Sequence, residues 1–438
     1  MKILIPSSVF PTQKNRLVQY AYNLKNSAKD NNIQLIWVIS QPNKFSEIKF
    51  EDDLVIDIHQ FTNAIKVIEK IKPDCVLTNN NSREPITMSF ILAAKKKKIP
   101  LVYYYLNDQA PKLGVGAYKS QKENLTIRFR SLISDKTPMD SNEKKKLRRA
   151  LFFMYKNKFL MKTRHESGIN WIIVLKDFFE DILSYVNYKK PIWNNLADLN
   201  LCSNQELFEF WTSIGIDKEK IIMTGSPYWD NIYEKFKNLK NYERKNDDEI
   251  RILITTAGMV EHELWTEKER EFYLNELFQN LNKDSKITYC IKIHPASENK
   301  IFYQKFLAER KINAVIYQHE DLYELMKKFD IIISYGSSTV HTECAYGGIK
   351  MILLDINWDY KQKNLVDEAI RSGYFMYCKK FKDLLPLINQ LQKKEIEFSD
   401  ELIQAREKMS YKFDGKSGKR ARNAINNLIK NYKNNLKK

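Results

Sequence analysis

The sequence predicts an α/β protein of two doubly wound domains, each a parallel sheet with helices on both faces. Three observations carry this. Short apolar runs alternate with amphipathic segments through most of the chain, the pattern of strands joined by crossover helices. Most of those runs are continuously apolar, as in strands buried on both faces. The 438 residues are enough for two sizeable cores.

In the first half, Ile3 to Ile5, Ile33 to Ile39, Leu54 to Ile58, Cys75 to Leu77 and Leu101 to Tyr105 read as strands. Trp171 to Leu175, Leu199 to Ser203 and Lys220 to Met223 continue the series, with a helix over Gln205 to Ile214. The mostly polar residues 237–249 make the expected linker, which sets a first domain at 1–236. Strands follow at Ile250 to Thr255, Lys286 to Ile293, Ala314 to Tyr317, Asp330 to Ser334 and Lys350 to Leu354, in a second domain over 250–400. Residues 401–438 close the chain; Ala421, Ala424, Ile425, Leu428, Ile429 and Tyr432 fall at helical spacing.

The most pointed chemistry sits between Ile287 and Asp355. A buried strand stops at His294-Pro295, where proline ends strand pairing and leaves a histidine at the strand's carboxyl end. Another leads into Tyr335-Gly336-Ser337-Ser338-Thr339 and then helical spacing, so three hydroxyls crowd a helix start. Free N–H groups and the positive end of the helix dipole make such a start a phosphate site. Glu343, one turn along, is spaced to meet a ribose hydroxyl, which together makes a nucleotide site. The plainer alternative is that Ser337 to Thr339 only cap the helix. Two loops from one parallel sheet favour the ligand, because ligands of such sheets collect at the strands' carboxyl ends. Thr256 and Gly258, on the loop after the second domain's first strand, would let backbone N–H groups approach it.

Charge is local. The net charge of +18 equals the surplus in two segments. Lys119 to Arg164 holds 14 Lys and Arg against four acids, and Gly415 to Lys438 holds eight bases against none. Both are candidate surfaces for anionic lipid, anionic polymer or nucleic acid, though charge is the only feature pointing to the last. In the first, Lys144, Lys145, Lys146, Arg148 and Arg149 run into Leu151, Phe152, Phe153, Met154 and Tyr155, the composition of an interfacial helix. The alternative is a helix packing Leu151, Met154 and Phe159 into the core with its lysines in water. Five scattered cysteines indicate neither a disulfide framework nor a zinc site and fit a reducing cytosol. The amino terminus lacks the apolar region of a signal peptide, and no run approaches a membrane span. A cytoplasmic protein, peripheral at most on the inner face of the cell membrane, is the expectation.

An HP loop followed by a Ser-Ser-Thr loop opening a helix that carries Glu resembles the donor half of GT-B glycosyltransferases that make bacterial capsules and other surface glycans. The resemblance extends to polysialyltransferase-like, capsular Kdo-transferase-like and teichoic-acid-polymerase-like enzymes, and to UDP-GlcNAc 2-epimerase, which shares their fold without transferring sugar. Lys72 to Thr78 with Ala93 to Pro100 resembles an epimerase unit, Thr224-Gly225-Ser226-Pro227 with Asp230 a "TG.P..D" segment, and Phe413 to Lys416 with Arg420 a "DGKA..R" helix opening. The resemblance implies two Rossmann-like domains whose parallel sheets face across a cleft, a basic helical insertion at about 119–165, and last helices that cross back to the first domain.

It further implies transfer of a sugar from a CMP-, CDP- or UDP-linked donor to a surface polysaccharide, capsule or lipid-linked glycan. His294, Pro295, Ser337, Ser338, Thr339, Glu343, Thr256 and Gly258 would hold the donor. An inverting transferase needs a base for the acceptor hydroxyl, and Asp108, Glu84 and His59, on loops after first-domain strands, are the candidates. No metal and no cofactor beyond the nucleotide-sugar substrate is expected, and no nucleic acid. Two epimerase signatures are absent: Asn79-Asn80-Asn81 stands where epimerases carry an acidic "GDT" loop, and Thr255-Thr256-Ala257-Gly258 where they carry "HR.EN". A catalytically silent scaffold of glycan assembly is a further alternative.

Overall fold

The computed structural model describes residues 1–7, 16–27, 33–39, 53–78, 85–105, 141–187, 196–236, 249–261, 264–295, 298–335, 338–354, 365–395 and 400–435. The chain divides into two compact units. One is Met1–Asp230 with Ser410–Lys438, the other Asn231–Met409. Of the expected linker, residues 237–248 lie outside the description.

The first unit opens with β1 (Lys2–Pro6), α1 (Arg16–Asn26), β2 (Gln34–Ile39) and β3 (Leu54–Asp57). It continues with α2 (Ala64–Ile71), β4 (Cys75–Thr78), α3 (Pro85–Lys96) and β5 (Leu101–Tyr104). Two helices follow in tandem, α4 (Ser141–Glu166) and α5 (Trp171–Asn187). Then come β6 (Leu199–Cys202), α6 (Gln205–Ser213), β7 (Ile221–Met223) and α7 (Tyr228–Phe236), which spans the division between the units. Among the described residues its seven strands are all parallel, in the order β3-β2-β1-β4-β5-β6-β7.

Alternation along the strands decides which core each residue joins. Leu4, Ile36 and Val38 pack with α2, α3 and Phe159 on one face. Ile3, Ile5, Leu35 and Trp37 pack on the other with Leu17, Tyr20 and Leu24 of α1.

The second unit runs β8 (Ile250–Thr255), α8 (Glu267–Leu281), β9 (Ile287–Lys292), α9 (Lys300–Glu309), β10 (Val315–Tyr317) and α10 (Leu322–Met326). After these come β11 (Ile331–Tyr335), α11 (Thr339–Gly347), β12 (Met351–Leu354), α12 (Leu365–Arg371), β13 (Phe375–Cys378), α13 (Leu384–Lys393) and α14 (Asp400–Ser410). Its six described strands are parallel in the order β10-β9-β8-β11-β12-β13. Both units are Rossmann-like.

The last helix, α15 (Ser417–Asn435), belongs to the first unit. Its Ala421, Ala424, Ile425 and Ile429 complete the core face that α1 covers. What holds its start is local chemistry. The Asp230 carboxylate accepts the N–H groups of Ser417 at 3.0 Å and Gly418 at 2.7 Å, an anion on the positive end of the helix. Arg420 donates to the Thr224 carbonyl at 2.8 Å and pairs with Asp414 at 2.9 Å. The two short segments matched to family patterns by sequence thus bind each other. Gly225 and Gly418 sit where they touch, Gly225 at φ +75°.

Two expectations are corrected. Trp171 to Leu175 is not a strand but the first turns of α5: the Asn170 side chain accepts the Ile172 N–H at 2.9 Å, capping a helix that runs on to Asn187. Phe375–Cys378, absent from the strands that the sequence predicts, is β13, paired with β12 after the turn at Gly373, φ +77°.

Gly418→Ala tests the clasp. The added Cβ would lie 2.5 Å from the Asn23 carbonyl oxygen and 3.0 Å from its carbon, backbone atoms that cannot swing away. Urea unfolding is expected to show a loss of about 1–3 kcal/mol.

Candidate functional site

The second sheet has the strand order 3-2-1-4-5-6, and its crossover reverses between β8 and β11. Loops at the carboxyl ends of β9, β8 and β11, three adjacent strands, bring together most of the residues expected to bind a donor. Thr256 and Gly258 are buried on the loop after β8, and His294 and Pro295 are exposed after β9. After β11, Ser338 is the N-cap of α11, its hydroxyl accepting the Val340 N–H at 3.3 Å. Ser337 lies outside the described residues. Thr339 is the first residue of the helix, its side chain likewise outside the description. Glu343 follows one turn on, with 4% of its surface exposed.

A residue the sequence did not single out ties two of these loops together. Glu298, buried, accepts the hydroxyl of Thr256, the backbone N–H of His294 at 2.6 Å and the hydroxyl of Tyr303 at 2.5 Å. Burial, then the neighbouring Tyr335 and Glu298, push the Tyr303 phenol well above its ordinary range, so it stays a donor. A carboxylate in a low-dielectric interior is costly unless its oxygens are satisfied, and here three donors from three elements satisfy them. Its only sequence signal is an acid four residues after His294, just before the Asn299 cap of α9.

The rest of the β8 loop is fixed by two further contacts. Arg270, its side chain buried, pairs with Glu261 at 2.8 Å and Glu267 at 2.6 Å and lies over the Phe302 ring at 3.8 Å. Trp265 stacks on Tyr335, the last residue of β11, at 5.2 Å. Lys292, the buried last residue of β9, donates to the Gln318 carbonyl at 2.6 Å.

Beneath the helix start, His341 of α11 is fully buried, with Nε2 2.9 Å from the Ser334 hydroxyl on β11. Burial lowers its imidazole from an ordinary 6.5 to about 3, so it is neutral. It joins helix to strand under the Ser338 cap.

The first unit holds the candidate bases. Glu84 and Asp108 lie outside the described residues. His59 is exposed in a tight turn, Ile58–Gln60, after the edge strand β3. Asp57 accepts its N–H at 3.0 Å, and its ring packs on Tyr155 at 4.2 Å. Tyr155 donates to the Ile58 carbonyl at 2.9 Å, and burial pushes its phenol up to about 12. Lys144, Lys145, Lys146, Arg148 and Arg149 lie on the first half of α4, their side chains outside the description. Farther along α4, Phe159 is in the core whereas Met154 is 67% exposed.

Residues 190–363 match the family model of UDP-N-acetylglucosamine 2-epimerase, somewhat less than half the chain. No protein of curated function matches the sequence. Among solved structures, the UDP-GlcNAc 2-epimerase of Methanocaldococcus jannaschii is similar at 15% identity and TM-score 0.54, over 98% of this chain and all (100%) of that one. The Neisseria meningitidis UDP-GlcNAc 2-epimerase bound to UDP-GlcNAc is similar at 16% and 0.53, over 98% and 100%. The kitacinnamycin glycotransferase is similar at 10% and 0.51, over 98% of each chain. The fold is GT-B. It is shared by epimerases and glycosyltransferases alike.

Two stability tests follow from the site. Glu298→Ala strands three donors and is expected to cost on the order of 3 kcal/mol in urea unfolding, with Glu298→Gln intermediate because it keeps one acceptor oxygen. For His341 the folded value is depressed, so the unfolded chain takes up the proton first. Stability held above the ordinary 6.5 is therefore lost as pH falls toward about 3. In that window His341→Gln should flatten the pH dependence of unfolding free energy by up to about 1.4 kcal/mol per pH unit.

Proposed function

We propose that the chain is a glycosyltransferase that takes a sugar from a nucleotide-activated donor bound at the carboxyl ends of β8, β9 and β11 and passes it to a surface polysaccharide, capsule or lipid-linked glycan. The observation that carries the donor site is convergence: the Thr256 to Gly258 loop, the His294-Pro295 loop and the capped start of α11 flank the point where strand order reverses, where ligands of such sheets bind. Donor phosphate lies at the helix tip against N–H groups and the hydroxyls of Ser337, Ser338 and Thr339, with His294 alongside. Gly258, lacking a side chain, lets backbone approach. The ribose contact falls to Glu343; at 4% exposure it fits its role least well of this set. Preorganised N–H and hydroxyl dipoles meet the charge of the departing nucleotide, without a divalent cation. The acceptor's proton goes to Asp108, Glu84 or His59.

The second reading is a non-transferring enzyme of the UDP-GlcNAc 2-epimerase type, favoured by the family match over 190–363. Against it stand Asn79-Asn80-Asn81 and Thr255 to Gly258, which lack the acidic and His-Arg residues of the epimerase loops. Incubation with UDP-GlcNAc separates the two: a sugar inverted at C2, formed without acceptor, supports the second, whereas transfer to an acceptor with C2 unchanged supports the first. Thermal shift with CMP-, CDP- and UDP-linked sugars identifies the nucleotide. The anionic contact through Lys144 to Arg149 belongs to the same proposal, with membrane or acceptor chain as partner.

Ser338→Ala, Thr339→Ala and His294→Ala are each expected to weaken donor binding or turnover by about 1.5–3 kcal/mol, roughly tenfold to more than a hundredfold. Normal binding and turnover in all three would move the site elsewhere. Activity is expected to survive EDTA, and complete loss restored by Mg²⁺ would contradict phosphate neutralisation by the helix tip.

A further inference from the structure

Helix α5 presents apolar side chains to solvent over its first half. Of the thirteen large hydrophobic residues exposed among those described, five fall between Trp171 and Phe179. Ile172 is 77% exposed and Phe179 61%, and of the residues from Trp171 to Phe179 only Val174 is buried. At about 100° per residue, Trp171, Leu175, Phe179 and Ile172 share roughly 100° of the helix circumference, one continuous stripe.

The stripe is mounted on a fixed arm. The Thr163 hydroxyl of α4 accepts the Ala64 N–H at 3.1 Å, Glu166 accepts from Asn63 at 2.5 Å, and Phe159 packs toward Phe90 at 6.3 Å. From that arm α5 is held by the His165–Trp171 ring stack at 4.5 Å and the Arg164–Asp177 pair at 3.7 Å. The chemistry of the arm indicates what the stripe meets. Helix α4 carries six lysines and three arginines against two glutamates, with Lys158 exposed, and Lys176 flanks the stripe on α5. Among the described residues no helix is long and apolar enough to cross a membrane.

We propose that the α4–α5 hairpin docks on an anionic lipid bilayer, with Trp171, Ile172, Leu175 and Phe179 entering the headgroup layer and the net positive charge of α4 attracting lipid phosphates. An anionic bilayer satisfies both features together, because apolar insertion and charge attraction add for a helix lying in the interface. Tryptophan at the end of the stripe suits that boundary. The proposal rests on the anionic contact proposed for Lys144 to Arg149 and commits it to lipid; donor binding and lipid binding are measured separately, so either can fail alone.

The test is sedimentation of the full chain with phosphatidylcholine vesicles and with vesicles containing phosphatidylglycerol. Wild type should bind the anionic vesicles, and the exposed pair Ile172→Ser/Phe179→Ser should weaken binding by about tenfold or more with unfolding unchanged. Replacing Lys144, Lys145, Lys146, Arg148 and Arg149 with Gln should remove the preference for anionic lipid. An environment-sensitive dye on Phe179→Cys should shift to the blue on those vesicles. Absence of binding to either vesicle, binding that the paired variant leaves intact, or an unshifted dye overturns the proposal. So does a wild-type dimer in solution that the paired variant dissociates, because the stripe is then an interface between copies.

Discussion

The geometry of the candidate site depends on the buried carboxylate of Glu298. Parallel strands hold their own backbone in register, but the loops beyond their carboxyl ends have no ladder to fix them. Glu298 supplies that fixing by taking one donor from the β8 loop, one from the β9 loop and one from α9. The His294 backbone is held by its N–H, which leaves its ring on the exposed side of the loop. A neutral acceptor could make some of the same bonds, yet bonds to a charged group are roughly twice as strong as neutral ones.

The same device closes the first unit. Asp230 takes two N–H groups from the start of α15, far along the chain, as Glu298 takes the His294 N–H four residues back, and in both places an acid fixes backbone. The Thr224 to Asp230 and Asp414 to Arg420 segments, matched to family patterns by their residues, are therefore explained by packing. Gly418 leaves room for the Asn23 carbonyl, Asp230 neutralises the helix end and Arg420 holds the Thr224 carbonyl. A motif in this fold can mark the clasp of a terminal helix as readily as a substrate contact.

Most of the fold was legible because buried parallel strands are continuous apolar runs separated by amphipathic helices. The same rule misread Trp171 to Leu175, because a run of Trp, Ile and Val has equal claim to a strand or a helix start. Asn170 and the apolar spacing through Phe179 decide for the helix. β13 escaped because Phe375 to Cys378 is short and only half-buried. In the site, the HP loop and the Ser338 helix start were legible from local residue types. Glu298 and His341 were not, since their roles are defined by partners on other elements: Thr256 is 42 residues from Glu298, and Ser334 lies on the strand beneath α11.

Charge is used differently in the two places where anions are proposed to bind. Around the second sheet the arginines are already engaged: Arg270 with Glu261 and Glu267, Arg251 with Asp330 at 3.1 Å. A phosphate at α11 would then be met chiefly by N–H groups, hydroxyls and the helix dipole, all short-range contacts. Salt screens such contacts little. On α4 the bases outnumber the acids nine to two, and attraction between exposed charges fades over a Debye length of about 8 Å at physiological salt. The proposed donor binding and the proposed surface attachment would thus draw on different physics within one chain, and raised ionic strength is expected to weaken attachment more than donor binding.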